Sequence, residues 1–383
     1  MGKFSPILVV VMFASLGWQS PSPDVGTFDM KDDGLRITGP YAHENLAVYL
    51  IHAKKPGNRE YITLDEGLEK GLVVVSENEQ EQVGQLQIEN RSDRPLFLQE
   101  GDRLCGGKQD RIIGLSMVVP PKSGKMMVRA FCVEAGRWSR GLLGKQFAMT
   151  DNKALAPSSV RFACKVVGNQ GKVWREVAEQ KTRLESQGVA NNTSSLSEAI
   201  DSKLMKSVSD DYQRRLGGIF ARHADAVGVA FALNSEVLEV DIYPGNVLLK
   251  KIAPRLLKGY AVQAIVARRG GVEHPEPSEI ARFMTEGVKK LDRIRKINGR
   301  NLLHLVEQES KVVCNTIYQG QSVHLQWFAR PQTAGKPSTS RPKPERAPII
   351  GKRPAPRSPG GRSYPGQTPM GGLRPPPGFP IGR

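Results

Sequence analysis

The sequence is short of the features that announce a common enzyme. It has only four cysteines among 383 residues, too few for a disulfide scaffold. Aromatics make up 6% of the chain, and no glycine period suggests collagen. No apolar run approaches the roughly 20 residues of a membrane-spanning helix. The P-loop, the dinucleotide fingerprint and the nucleophile elbow are all missing. The cysteines form no C-x-x-C pair and the six histidines no metal-spaced cluster, so neither a metal nor a cofactor is expected.

What is present supports a folded body with two dissimilar ends. Hydrophobic residues reach 39%, enough for a core. The net charge of +17 is unevenly placed. Residues 331–383 hold ten of the 55 Lys and Arg, fourteen of the 27 prolines and one acid, Glu345. Such a segment cannot bury enough surface to offset its ordering entropy, so a disordered Pro/Arg/Gly-rich tail is expected. Its charge suits an anionic surface, or it is a solvated spacer. With Tyr364 and Phe379 as its only aromatics it has no stacking platform, and no specific nucleic acid is expected.

At the other end, Lys3 precedes an apolar stretch from Pro6 to Trp18 that Pro21 and Pro23 sever from the body. Residues 1–20 read as a signal peptide, which implies a secreted or periplasmic protein. The alternative is an N-terminal strand or helix in a cytoplasmic one.

The body reads as α+β. Residues 28–190 form a β-rich N-terminal half with a closing helix near Gly171–Glu185. Leu86 and Ile88 alternate with polar neighbours, and Pro95–Glu100, Arg111–Val119 and Lys125–Glu134 read as further strands. A polar linker is expected over 191–205. Residues 206–330 read as a helix–hairpin–helix C-terminal half: a helix over Ser207–His223, a hairpin through Asn234-Ser235, a helix carrying Leu249, Ala253, Leu257 and Ala261, and another over Pro277–Ile297. Strands at Lys311–Gln319 and Ser322–Phe328 close the body.

One polar constellation stands out as a candidate site. Gly106 and Gly107 allow a tight turn, and Lys108, Gln109 and Arg111 come directly after it. Further on, Cys132 and Glu134 share a strand face, and Gly136 permits a turn that presents Arg137 and Trp138. Lys108, Gln109, Arg111, Cys132, Glu134, Arg137 and Trp138 together could hold a small anionic metabolite. The plainer reading is a charged hairpin end with Cys132 and Trp138 in the core.

At these residues the chain resembles the domain family described in association with ADP-ribosylglycohydrolases and rhodanese-phosphatase superfamily proteins. The resembling stretches are Tyr61–Leu72, Glu89–Asp93, Gly106–Arg111, Cys132–Trp138, Gln170–Trp174 and Leu256–Ala261. They span roughly 40–330, in order. Asp110 stands where the family's run is similar to Lys-Gln-Asn-Arg. The resemblance implies a non-catalytic ligand-binding or accessory domain for an ADP-ribose-like or other nucleotide-derived anion. Two alternatives accompany it. One is an enzyme acting on a phosphorylated metabolite, with Glu134 or Glu100 as acid/base and Cys132 as nucleophile. The other is a structural envelope protein with an anion-seeking tail.

Overall fold

The computed structural model describes residues 26–30, 34–77, 84–107, 109–134, 146–189, 194–268 and 273–331. The expected signal peptide, 1–20, lies outside the described residues, as does the tail beyond Pro331.

The chain opens with strands β1 (Gly26–Met30), β2 (Leu35–His43), β3 (Leu46–Ala53) and β4 (Ile62–Thr63), then a short helix α1 (Leu64–Glu69). Eight more strands come next: β5 (Val73–Glu77), β6 (Gln85–Asn90), β7 (Leu96–Leu98), β8 (Arg103–Gly106), β9 (Arg111–Ile113), β10 (Met117–Val119), β11 (Lys125–Cys132) and β12 (Phe147–Met149). Helix α2 (Ser158–Phe162) runs into a π-helical turn, Ala163–Val167, and is succeeded by α3 (Gln170–Ser186), α4 (Leu196–Ile200), α5 (Lys203–Leu216) and α6 (Gly218–Arg222). The hairpin β13 (Ala226–Leu233) and β14 (Glu236–Ile242) leads to α7 (Asn246–Val266) and α8 (Pro277–Thr285). The strands β15 (Lys289–Lys296), β16 (Asn301–Gln308), β17 (Lys311–Tyr318) and β18 (Gln321–Ala329) complete the body.

These strands form three sheets, and their order overturns the expected division into a β-rich half and a helix–hairpin–helix half. The largest sheet has nine strands in the order β1-β2-β3-β13-β14-β18-β17-β16-β15. Strands from both ends of the body are therefore neighbours, with β3 paired antiparallel to β13. The C-terminal segment contributes six strands to that sheet, so both the helix–hairpin–helix half and the α+β expectation fail: the body is β-rich, its strands gathered in three sheets. A six-stranded sheet (β12-β8-β9-β11-β6-β5) and a three-stranded one (β10-β7-β4) draw on the first half alone.

Burial explains why the nine-stranded sheet sits at the centre. Every residue of β3 and β13 is buried, because helices cover both faces. On one face Phe231 stacks on Tyr260 of α7, ring centroids 4.0 Å apart. On the other, Ile280, Ala281 and Met284 of α8 pack with Tyr49, Ile51, Val227 and Ala232. Each large apolar side chain buried in this way contributes about 1.5–3 kcal/mol.

Some elements differ from expectation. The helix anticipated over Pro277–Ile297 stops at Thr285, and Lys289–Lys296 is an edge strand pairing with β16. Gly287, with φ of 134°, takes a backbone conformation no helix can continue. The strand anticipated over Arg111–Val119 is two short strands in different sheets, broken at Gly114-Leu115-Ser116. Leu196, Ala199 and Ile200 of α4 pack in the core within the stretch expected to be a linker.

Candidate functional site

The glycine loop forms as its sequence implies. Gly106 and Gly107 both adopt positive φ, 127° and 56°. A Cβ on Gly106 would meet the Gln146 carbonyl oxygen at 2.5 Å, so the close approach of β12 to β8 requires glycine. The loop delivers Gln109 and Arg111 to the end of β11, because β9 pairs with β11 through Arg111 opposite Cys132.

Four of the seven expected residues are thereby brought together. Arg111 donates to Cys132 Sγ, to Gln109 Oε1 at 3.2 Å and to Glu77 Oε1 at 3.3 Å. Gln109 reaches the backbone carbonyl of Glu134 at 3.4 Å. Gln170, at the start of α3, holds the Cys132 backbone on both sides, accepting from its N–H at 3.0 Å and donating to its carbonyl at 2.8 Å. Asp110 turns away, within 3.4 Å of Ser195. Lys108, Arg137 and Trp138 lie outside the described residues.

Gln109, Arg111, Cys132 and Glu134 are all buried. Burial pushes the Cys132 thiol above its ordinary pKa, and the adjacent Arg111 guanidinium opposes this only in part. A protonated, buried thiol is a poor nucleophile. The group ties the glycine loop to the end of β11.

A second constellation lies deeper. Glu239 and Asp241 share one face of β14, and His324 and Gln326 one face of β18. Arg161 and Lys165 come from α2 and the π-helical turn after it, and Glu100 lies just past β7. All seven are buried. Arg161 grips Glu239 with both ends of its guanidinium, at 3.0 and 2.6 Å, and donates to Glu100 at 2.7 Å. Lys165 donates to Gln326 at 2.7 Å and lies 3.4 Å from Glu100. His324 bridges Ser116 at 2.9 Å and Asp241 at 2.8 Å, and Tyr260 donates to Glu239.

The protonation states are set by burial and by these partners. Burial raises the Glu239 carboxyl to about 8, against the pull of Arg161. Asp241 rises to about 6 for the same reason. Burial would raise Glu100 too, but Lys165 and Arg161 hold it well below the ordinary range. Burial and the nearby Lys165 push His324 down to about 3, so its imidazole is neutral. The cations thus hold Glu100 low, while burial raises Glu239 and Asp241 against the same guanidinium.

Glu100, Asp241 and His324 also lie close enough to share an ion. Two cations occupy the same cluster and already neutralise it, which disfavours a third positive charge. With every group sealed from water, the network ties α2 and the π-helical turn to the nine-stranded sheet.

Of these seven residues sequence reasoning singled out only Glu100, as an acid/base of the alternative enzyme, and it missed the network. The signals were three pairs of polar residues at one-face spacing: Glu239/Asp241 and His324/Gln326 two apart in strands, Arg161/Lys165 four apart in a helical stretch.

The family model described as the ARG and Rhodanese-Phosphatase-superfamily-associated Protein domain matches residues 34–328. No curated protein and no solved structure matches the chain.

Proposed function

The chain belongs to the ARG and Rhodanese-Phosphatase-superfamily-associated Protein domain family, and from that premise we propose that it is a non-catalytic accessory domain that binds an ADP-ribose-like or other nucleotide-derived anion. The observation that carries the reading is the convergence of Gln109, Arg111, Cys132 and Glu134 at the foot of the Gly106-Gly107 loop. In the sequence Lys108 follows Gly107 directly, and Arg137 and Trp138 come three and four positions after Glu134, so the two segments carry the cations and the aromatic side chain that a nucleotide-derived anion calls for. Arg111 also pairs with Glu77, at 3.3 Å, which fixes the guanidinium at the base of the loop. The non-catalytic part rests on the protonated thiol of Cys132, which removes the nucleophile of the enzyme reading.

The test is a thermal-shift titration of the full chain with ADP-ribose, ADP, AMP and inorganic phosphate at low and high salt. The reading expects ADP-ribose or ADP to raise the melting temperature, by an amount that shrinks with salt and in Lys108→Ala and Arg137→Ala. Equal shifts in the parent and both variants, or no shift with any of the four, overturn it.

A further inference from the structure

We propose that His52, His223 and Asp225 form a binding site for a divalent transition-metal ion of the zinc type, separate from the glycine loop and from the buried charge network. The three come from distant parts of the sequence; His52 and Asp225 are 173 positions apart. His52 is the next-to-last residue of β3, His223 caps α6 and Asp225 lies in the turn before β13. One ligand atom of each lies within 4.8 Å of the others. His52 Nδ1 is already 2.8 Å from Asp225 Oδ1.

A second observation separates this set from a chance meeting of polar groups. The remaining polar atom of each side chain is held by a residue of β2. Thr38 Oγ1 lies 2.8 Å from His52 Nε2, Tyr41 Oη lies 3.2 Å from His223 Nε2, and Arg36 donates to Asp225 Oδ2 at 2.8 Å. Metal-binding histidines characteristically commit their other ring nitrogen to an outer hydrogen-bond partner, which fixes ring orientation. The proton that His52 Nδ1 donates to Asp225 in this structure leaves as the ion binds. Here one strand supplies an outer partner for all three ligands. The proposal assigns His52 Nδ1, His223 Nδ1 and Asp225 Oδ1 as the ligating atoms.

The donor set selects the ion. Two imidazoles and one carboxylate suit zinc and its neighbours over magnesium or calcium, which prefer oxygen alone. A tetrahedral ion with bonds of ~2.1 Å keeps its ligand atoms about 3.4 Å apart, so the His52–Asp225 contact opens slightly on binding. His52 is buried, whereas the Asp225 side chain is 32% exposed. The site therefore faces solvent on one side, leaving the fourth position for water, as in open zinc sites.

The experiment titrates the metal-stripped full chain with Co²⁺ and follows the visible absorption of tetrahedral cobalt, then displaces the ion with Zn²⁺ and counts it by elemental analysis. The expected result is one equivalent per chain. His223→Ala and Asp225→Asn should each weaken binding at least tenfold, and Tyr41→Phe about tenfold through the lost outer bond. His304→Ala breaks an unrelated exposed His–Asp pair, His304–Asp292, and should leave binding unchanged. If cobalt produces no such absorption, or if the parent, His223→Ala and Asp225→Asn titrate alike, the site does not exist. Circular dichroism of each variant checks folding, and Tyr41→Phe, the gentlest change, keeps the test decisive should a ligand variant unfold.

Discussion

Arg161 Nη2 lies 2.7 Å from Glu100 Oε1, and neither side chain reaches water. The same guanidinium spans Glu239, so one cation holds the loop after β7, helix α2 and strand β14 in register. Replacing it with methionine leaves two buried carboxyl groups without their main partner. Arg161→Met should cost about 3–5 kcal/mol of unfolding free energy, measured by urea denaturation. A loss below about 1 kcal/mol would mean that Lys165 and Gln326 suffice, and that Arg161 is not the organising cation.

Gly101 tests the same contact from the other side. Its φ is 90°, and a Cβ there would stand 2.7 Å from both Cδ and Cγ of Arg161. Gly101→Ala therefore combines backbone strain of about 1–2 kcal/mol with displacement of the guanidinium from its acids. The expected loss is at least about 2 kcal/mol. Gly84, with ordinary φ and nothing within 4 Å of its Cβ position, is the control, and Gly84→Ala should change stability by less than about 1 kcal/mol. Equal effects at the two positions would refute the argument.

The raised carboxyl groups set a pH dependence with a definite sign. Burial lifts Glu239 to about 8 and Asp102 to about 7, both above their unfolded values. Each favours the fold while protonated, and that contribution is lost as pH rises through the folded value. His324, pushed down to about 3, acts in the opposite direction but finishes by about pH 6.5. Lys311, lowered to about 8, gives a rising contribution only above that pH. Between about pH 6.5 and 8 the stability should therefore fall, by about 2 kcal/mol. In Glu239→Gln the slope should flatten. A parent protein whose urea midpoint rises over this interval would show that Glu239 is ionised throughout.

Much of the local structure was legible in the sequence, and the global arrangement was not. The alternation of Val227, Val229, Phe231 and Leu233 marks β13, and the helical spacing of Val173 and Val177 marks α3. No such periodicity states that β3 will lie beside β13, since that pairing is a contact between segments far apart in the chain. Lys289–Lys296 misleads for another reason: its dense charges fit a solvated helix face as well as an exposed edge strand. The candidate site obeyed the same rule. The Gly-Gly turn and the two-residue spacing of Cys132 and Glu134 pointed to Arg111 and its neighbours. The buried network and the His52–His223–Asp225 group depend on contacts between segments far apart in the sequence, which local spacing cannot express.

The expected signal peptide and tail can be tested directly on native protein. N-terminal sequencing should find a mature start near Pro21, and an intact Met1 or Gly2 on an intracellular product would exclude export. Deleting 331–383 removes ten basic residues but no apolar periodicity. The melting temperature of the truncated protein should stay within about 2 °C of the parent's. A drop of many degrees would mean that the tail packs on the body.

Cysteine reactivity separates the accessory reading from the enzymatic one. Cys132, Cys164 and Cys314 are buried, and Cys105 is partly exposed. Burial raises the thiol pKa at every one of them, and at Cys105 the Asp110 carboxylate adds to the rise. No thiolate is then available near neutral pH, so native protein should react slowly with iodoacetamide, and first at Cys105. Cys132→Ala keeps Gln109 bonded to the Glu134 backbone and Arg111 beside Glu77. It should therefore retain whatever nucleotide-induced thermal shift the parent displays, within about twofold in apparent affinity. Rapid alkylation of Cys132, blocked by ADP-ribose, would instead place a reactive nucleophile at the ligand and overturn the non-catalytic reading.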